Sequence, residues 1–307
     1  MTDFRPRQVA GLSPEVVGIL CMCLAVAMLP IMDGLVKTMT GHLSAVQLAF
    51  LRFAAQAVVG LPIVVLAAGW SALNPGQPLI HAARGACHAF ATIFFISALA
   101  VLPLADTMAI FFVMPLLVTA MSALFLGEAV GIRRWSAVLV GFVGALIVVR
   151  PGGDVFSLAS LLPMGAATMF GLYVILTRRF VQSGHSLGLN FVAAAWATLI
   201  LGVLLVTGYS IGLPQAAIAP LSTLDWAKFA VIGAISMFGH WLIVLALARA
   251  PASIIAPLTY LEIIGAAIVG YILFADIPDL WTWVGVAVIA ASGIYISYRE
   301  RVRAQTA

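Results

Sequence analysis

The chain has 307 residues, of which 64% are hydrophobic and only 8% charged, with 15 Lys and Arg against 11 Asp and Glu. A soluble domain carries about 25% charged residues because its exterior faces water, so these side chains cannot clothe a compact fold in solvent. An ordinary cytosolic enzyme, a nucleic-acid-binding domain and a disordered chain are excluded, and lipid becomes the solvent for most of the surface.

The first 14 residues are moderately polar, and the apolar run behind them lacks an Ala-x-Ala cleavage site, so a retained first span is expected rather than a signal peptide. Roughly 20 apolar residues take a helix across the hydrocarbon core. Ten segments qualify in chain order, near 16–38, 44–68, 80–101, 105–126, 132–149, 157–177, 188–208, 227–248, 252–274 and 281–298. They are continuous and lack period-two alternation, which disfavours barrel strands. Short Pro- and Gly-bearing connections join them, as at Asn74-Pro75-Gly76, Arg150-Pro151-Gly152-Gly153 and Ile277-Pro278-Asp279. Each span must satisfy its own backbone, so a helical bundle is the expected architecture. Cys21, Cys23 and Cys87 all lie in apolar stretches, with no CxxC pair, and read as small packing residues.

Lys and Arg orient the spans. The two termini and the connections after the second, fourth, sixth and eighth spans hold Arg5, Arg7, Arg84, Arg133, Arg134, Arg178, Arg179, Arg249, Arg299, Arg301 and Arg303. The opposite connections hold Lys37, Arg150 and Lys228. Both termini are therefore expected to be cytoplasmic, in a multi-pass protein of the bacterial inner membrane. Trp70, Trp135, Trp226, Trp281 and Trp283 fall at span ends, where an amphipathic ring suits the headgroup layer.

A shift of 148 residues lays the third to fifth spans on the eighth to tenth. Gly85-Ala86 falls on Gly233-Ala234, Phe90 on Phe238, Ala98-Leu99-Ala100 on Ala246-Leu247-Ala248, Pro103 on Pro251, Glu128 on Asp276 and Trp135 on Trp283. Near residues 25–40 a shift of 141 places Lys37 on Arg178. Five spans per half is an odd number, so the second half enters the membrane upside down. The expected organisation is an all-α membrane protein of two inverted five-helix repeats, 16–149 and 157–299. Inverted repeats of this kind hold a substrate site near the midplane and work by alternating access.

The stretch Ala98 to Asp106, then Met114-Pro115, Leu126-Gly127-Glu128, Arg134-Trp135 and a Gly-rich fifth span resembles the drug/metabolite transporter superfamily in its EamA-type branch. The second-half stretch from Ala246 to Arg299 resembles the same module. The resemblance implies a ten-helix secondary carrier of small metabolites, most often an exporter. It also implies a cavity between the first and sixth helices and the bundles around them. One departure stands out. The ninth span of the family commonly carries Glu-Pro, whereas here Glu262 is followed by Ile263, and the first-half counterpart is Met114-Pro115.

Charges inside spans are costly, by about 2.5–3.5 kcal/mol on insertion scales, and mark functional candidates. Asp33 and Lys37 lie one turn apart on the first span and Arg52 sits at similar depth on the second, so the three read as one cluster. It either fixes helix packing or contacts substrate. His240, Trp241, Tyr260 and Glu262 form a second group, with His240 and Glu262 at similar depth; they either satisfy each other or bind an ammonium group beside aromatic faces. His88 has similar depth, and Tyr173 reads as an interface anchor or a cavity wall. Asp106, Glu128 and Asp276 read as cap and turn residues. Gly141, Gly144, Gly265, Gly270, Gly285 and Gly293 read as close helix contacts.

No metal is implied, because the histidines lack ligand spacing, and no cofactor is expected. P-loop, GxSxG and HExxH motifs do not occur, which leaves facilitated diffusion, exchange or ion coupling. The expected function is export of amino acids or similar amphipathic metabolites, by a chain able to act as a monomer with no nucleic-acid partner. Alternatives are an S-adenosylmethionine-type or cationic drug carrier and a membrane-embedded lipid enzyme or flippase.

Overall fold

The computed structural model describes residues 13–74, 76–126, 131–149, 158–180, 185–250 and 252–306. Glu128, Arg5, Arg7, Arg150 and Pro251 lie outside them. Among the described residues the chain is all-helical, without a β-strand. The α-helices are α1 (Pro14–Lys37), α2 (Ala45–Ala68), α3 (Pro78–Leu99), α4 (Leu104–Phe111), α5 (Met114–Leu126), α6 (Ile132–Val149), α7 (Leu161–Phe180), α8 (Ser186–Ser210), α9 (Thr223–Arg249), α10 (Ala252–Thr259), α11 (Leu261–Phe274) and α12 (Leu280–Thr306). Six described spans are long and apolar enough to cross a membrane, with the joined stretch Leu104–Phe125 counted as one, and shorter apolar helices lie in α6, α7, α11 and α12.

Local chemistry sets the helix starts. Ser13 accepts from the Val16 amide and Ser44 from the Gln47 amide, each filling an orphan donor of the first turn. Ser222 and Asp225 form a reciprocal capping box at the start of α9.

Two of the expected spans are interrupted. The fourth breaks between α4 and α5, at Phe112 and Val113. Pro115 has no N–H to give the Phe111 carbonyl, so the α-helical ladder cannot run through this point. The Val113 amide turns instead to Ile110 and the Leu116 amide to Val113, both three residues back. The ninth span breaks at Tyr260, where the Ile263 amide bonds the Tyr260 carbonyl. Phe112 and Tyr260 are 148 residues apart, the register of the sequence repeat.

Helix partnerships come in exchanged sets. α1 packs on α9 as α7 packs on α3; α2 packs on α9 as α8 packs on α3; α1 packs on α11 as α7 packs on α5. α2 with α8, and α6 with α12, pair across the same exchange. The repeated glycines sit in these seams. A Cβ on Gly85 would lie 2.5 Å from the Trp196 Cβ on α8, and one on Gly233 would lie 2.8 Å from the Ala55 carbonyl on α2. Trp196, too deep in its span for an interface anchor, is thus a packing residue of the α3–α8 seam. Gly144 and Gly285 meet likewise, each facing the carbonyl of the other.

Cross-links between the halves tie one end of the bundle. Lys37 Nζ donates to Asp276 Oδ2 and to the Leu102 carbonyl, both at 2.9 Å. Lys228 donates to Thr38 Oγ1 at 2.9 Å, and Thr282 to Asp106 Oδ1 at 2.8 Å. His42 meets Asp225, and Gln47 exchanges two hydrogen bonds with the Ala219 backbone. Asp106 does lie in the first turn of α4, whereas Asp276 is an ion-pair partner as well as a turn residue.

Arg84 corrects the reading of the basic residues. Expected to mark a cytoplasmic edge, it is 1% exposed. It is held at the other end of the bundle by His81 Nδ1, by Thr177 Oγ1 and by the Tyr173 hydroxyl, over whose ring its guanidinium lies at 5.1 Å. All three partners are neutral acceptors. A single topological sign therefore hides a buried bridge between α3 and α7.

Candidate functional site: a cavity at two interrupted helices

The two breaks meet. The rings of Phe112 and Tyr260 lie 5.4 Å apart, centroid to centroid, and both line a central cavity of about 410 Å³. That volume falls in the ~300–1,000 Å³ range of small-molecule sites. Its wall is built by α1 (Leu29, Met32, Asp33, Val36), α2 (Arg52), α3 (His88, Thr92, Phe95), α4 (Met108, Phe111), α7 (Phe170) and α9 (His240, Ile243), together with Met114, Pro115 and Glu262 at the breaks.

The aromatic side is continuous. Phe95 meets Phe111 edge-on at 5.3 Å, and Phe111 meets Phe170 at 5.9 Å. His88 sits among Phe53 at 4.8 Å, Tyr173 at 5.0 Å and Phe170 at 5.4 Å, and faces His240 at 6.5 Å. Offset and edge-on rings at these spacings form a rigid apolar wall suited to another π-system.

The polar side is sparse and underused. Arg52, 9% exposed, gives one N–H to Thr92 Oγ1 at 3.1 Å, while its Nε is buried without a partner. His88 Nδ1 and the Tyr260 hydroxyl are likewise buried and unpartnered. Asp33, 7% exposed, and Glu262 accept no hydrogen bond and form no salt bridge among the described residues. Buried polar atoms are nearly always satisfied, so several orphans around one space mark where an additional molecule belongs.

Six of the nine residues singled out in the sequence line this cavity: Asp33, Arg52, His88, His240, Tyr260 and Glu262. Three do not. Lys37 leaves Asp33 for Asp276, which divides the expected cluster. Tyr173 stands behind His88, between it and Arg84. Trp241 is 36% exposed and meets Phe238, another exposed ring, edge-on at 6.5 Å on the outer surface. Of the two readings of His240 and Glu262, mutual satisfaction is not seen: no hydrogen bond joins them among the described residues, and His240 Nδ1 donates to the Ser236 carbonyl one turn back, at 2.7 Å.

Sequence reasoning missed Phe111, Phe112, Phe170, Thr92 and Gln56. Phe112 was within reach, since the 148-residue register carries Tyr260 onto it. Phe111 and Phe170 carry no signal in a chain with 17 phenylalanines, whereas Gln56, polar and inside a span, was within reach of the rule that found Arg52. Gln56 lies one turn beyond Arg52 on α2 and is buried with both amide atoms unpartnered.

An apolar helical bundle around a cavity with a few charged groups is the build of a membrane transporter for small molecules. The chain belongs to the EamA-like transporter family, whose model matches residues 16–150 and 157–298. It is 28% identical over 287 residues to an S-adenosylmethionine uptake transporter of Rickettsia prowazekii, covering 92% of this chain and 93% of the relative. It is 28% identical over 285 residues to a riboflavin transporter of Brucella anthropi, covering 93% and 99%. A crystal structure superposes with a TM-score of 0.61 at 21% identity, over 93% of this chain and 98% of that one, which supports the fold. The protein is a multi-pass transporter of the bacterial inner membrane and not an enzyme, which sets aside the lipid-modifying alternative.

Proposed function

We propose that the chain is a ten-span secondary carrier, made of two inverted five-helix repeats over 16–149 and 157–299 with cytoplasmic termini. In this reading it moves a ring-bearing amphipathic metabolite through the central cavity by alternating access. One observation carries the reading: the cavity lies where two helices, interrupted at equivalent positions of the repeat, bring Phe112 and Tyr260 together. Paired discontinuous helices at corresponding places in the two halves mark the substrate site of repeat-built transporters. The exchanged helix partnerships support the two-fold arrangement, since a rocking motion of one half against the other needs matching seams.

The residues assigned to substrate are Asp33, Arg52, His88, His240, Tyr260 and Glu262, with the aromatic wall of Phe111, Phe112 and Phe170. Lys37 is assigned to gating, as the cross-link between the halves at the end that the basic residues place outside. Tyr173 positions His88 from behind, and Trp241 is an outer-surface residue.

For cargo, the aromatic wall favours a ring over a simple aliphatic amino acid. Both relatives above are named for ring-bearing metabolites, S-adenosylmethionine and riboflavin. The test is a labelled panel of S-adenosylmethionine, riboflavin, aromatic amino acids and methionine in proteoliposomes, with and without a pH gradient. Saturable flux of a ring-bearing member is the expected result. Saturable methionine flux without flux of either named metabolite restores amino-acid export, and no flux of any member overturns the carrier reading for this cargo class.

A further inference from the structure

On α3 the cavity is lined by His88, Ala91, Thr92, Phe95 and Ile96. Polar bridges between the two halves bracket that stretch. On one side Lys37 ties Asp276 of the second half to the Leu102 carbonyl, just past the end of α3. On the other side, one turn before His88, Arg84 reaches α7 through Thr177 Oγ1 at 2.8 Å and the Tyr173 hydroxyl at 3.4 Å. Arg84 and Leu99 are 15 residues apart, about 22 Å of helix. α7 repeats the order: Phe170 lines the cavity, and Tyr173 and Thr177 follow one and two turns later. Tyr173 also joins the bridge to the cavity wall, its ring 5.0 Å from that of His88. The two bridges thus stand at opposite ends of one space.

They are chemically different. Lys37 meets a carboxylate, whereas the acceptors of Arg84 among the described residues are neutral, with His81 Nδ1 taking a further N–H at 2.8 Å. Arg84 is nonetheless 1% exposed. A buried ionic group is a poor device for stability, because a well-packed apolar side chain of similar volume serves as well or better. It does suit a contact that must break and re-form. In the closed arrangement the planar fork is satisfied by acceptors on two helices, and in an open one water takes their place on the same N–H groups. Hydrogen bonds are exchanged and no ion pair is parted, so the two arrangements lie close in energy. An apolar plug of the same size would instead be exposed to water at every opening.

Resting on the alternating-access reading above, we propose that Arg84 is a gating residue. Its bridge to Thr177 and Tyr173 closes the cavity toward the end where α1 starts and α12 finishes, and the Lys37–Asp276 pair closes the opposite end. The transport cycle releases the two in turn.

The test reads access to the cavity without any substrate. The free cysteines Cys21, Cys23 and Cys87 are replaced by Ala, and Met114→Cys puts one thiol on the cavity wall. The full-length protein, with a C-terminal tag that marks its side, is treated in right-side-out and inside-out membrane vesicles with a membrane-impermeant maleimide. Arg84→Ala is expected to speed alkylation about tenfold from the tagged side alone, the scale of one lost charge-assisted hydrogen bond. Lys37→Met is expected to speed it from the opposite side alone. Thr177→Val leaves the guanidinium in place and removes one acceptor. It should act in the same direction as Arg84→Ala, by about threefold, and carries the test if Arg84→Ala does not fold. No change in rate, or an equal rise from both sides, overturns the proposal, the second result assigning Arg84 to packing of the whole bundle. Because no cargo is added, a negative flux panel leaves this outcome untouched, and failure of the Arg84 gate leaves the carrier reading standing.

Discussion

The two halves of the chain pack alike and are chemically unlike. Gly85 and Gly233 occupy the same place in the repeat and perform the same task, each letting a neighbouring helix approach to backbone contact. The interrupted helices also break at the same place. Yet the break in the first half presents Phe112, Met114 and Pro115, and the break in the second presents Tyr260, Glu262 and Ile263. Asp33 on α1 and Arg52 on α2 likewise face Phe170 on α7 and no cavity-lining residue of α8. Seams are constrained by geometry, which a two-fold arrangement imposes on both halves equally. A small substrate is not symmetric, so the residues that touch it are free to diverge.

This contrast is broken most directly at the acidic position. Glu262→Gln is expected to lower proteoliposome transport about 30-fold or more at unchanged abundance. Its register mate Met114→Gln should lower it only about threefold, as a side chain of similar volume in a roomy wall. Comparable losses in both would make the two breaks functionally equivalent. Equal falls in activity and abundance for Glu262→Gln would assign that carboxylate to folding.

The packing side of the comparison is tested next, with Gly85→Leu and Gly233→Leu. Each is expected to lose about 1–3 kcal/mol by overpacking, visible as matched falls in melting temperature in detergent. A tolerated change at one site and a severe one at the other would show that the seams are not equivalent. Tyr260→Phe comes third. It removes a buried hydroxyl with no partner, so the melting temperature should hold or rise, while substrate affinity falls about five-fold through one lost hydrogen bond. Unaltered affinity would place the hydroxyl away from the substrate. The smallest effect is reserved for Trp241→Leu, expected to change transport less than about twofold, because surface substitutions away from packed or paired groups stay near ±0.5 kcal/mol. A larger loss would return Trp241 to the site.

Much of the bundle was legible because its physics is one-dimensional. Continuous apolar runs specify spans, and Gly, Pro and Trp in a common register specify a repeat. The break at Pro115 follows from a missing N–H, although only the structure showed that Tyr260 breaks its span without a proline at the equivalent position. Intramembrane charge led to Asp33, Arg52 and Glu262, and depth led to His88 and His240, since polar groups are expensive in lipid wherever they face.

What escaped was pairing. Lys37 lies one turn from Asp33 in sequence, and helical spacing makes them neighbours, but Asp276 on the far side of the bundle holds the ammonium instead. Arg84 looked like one more topological charge until α7 supplied Thr177 and Tyr173 to bury it. Trp241 shares a helical neighbourhood with His240 and faces the opposite way. The scarcity of charge, 8% of the chain, determined by itself that this is a membrane bundle and which few side chains deserved testing. Only the tertiary structure decided which of those charges are already spent on one another and which are left facing the cavity. Helical periodicity fixes a side chain's direction around its own axis, and the partner it meets depends on how separate helices are rotated and set side by side.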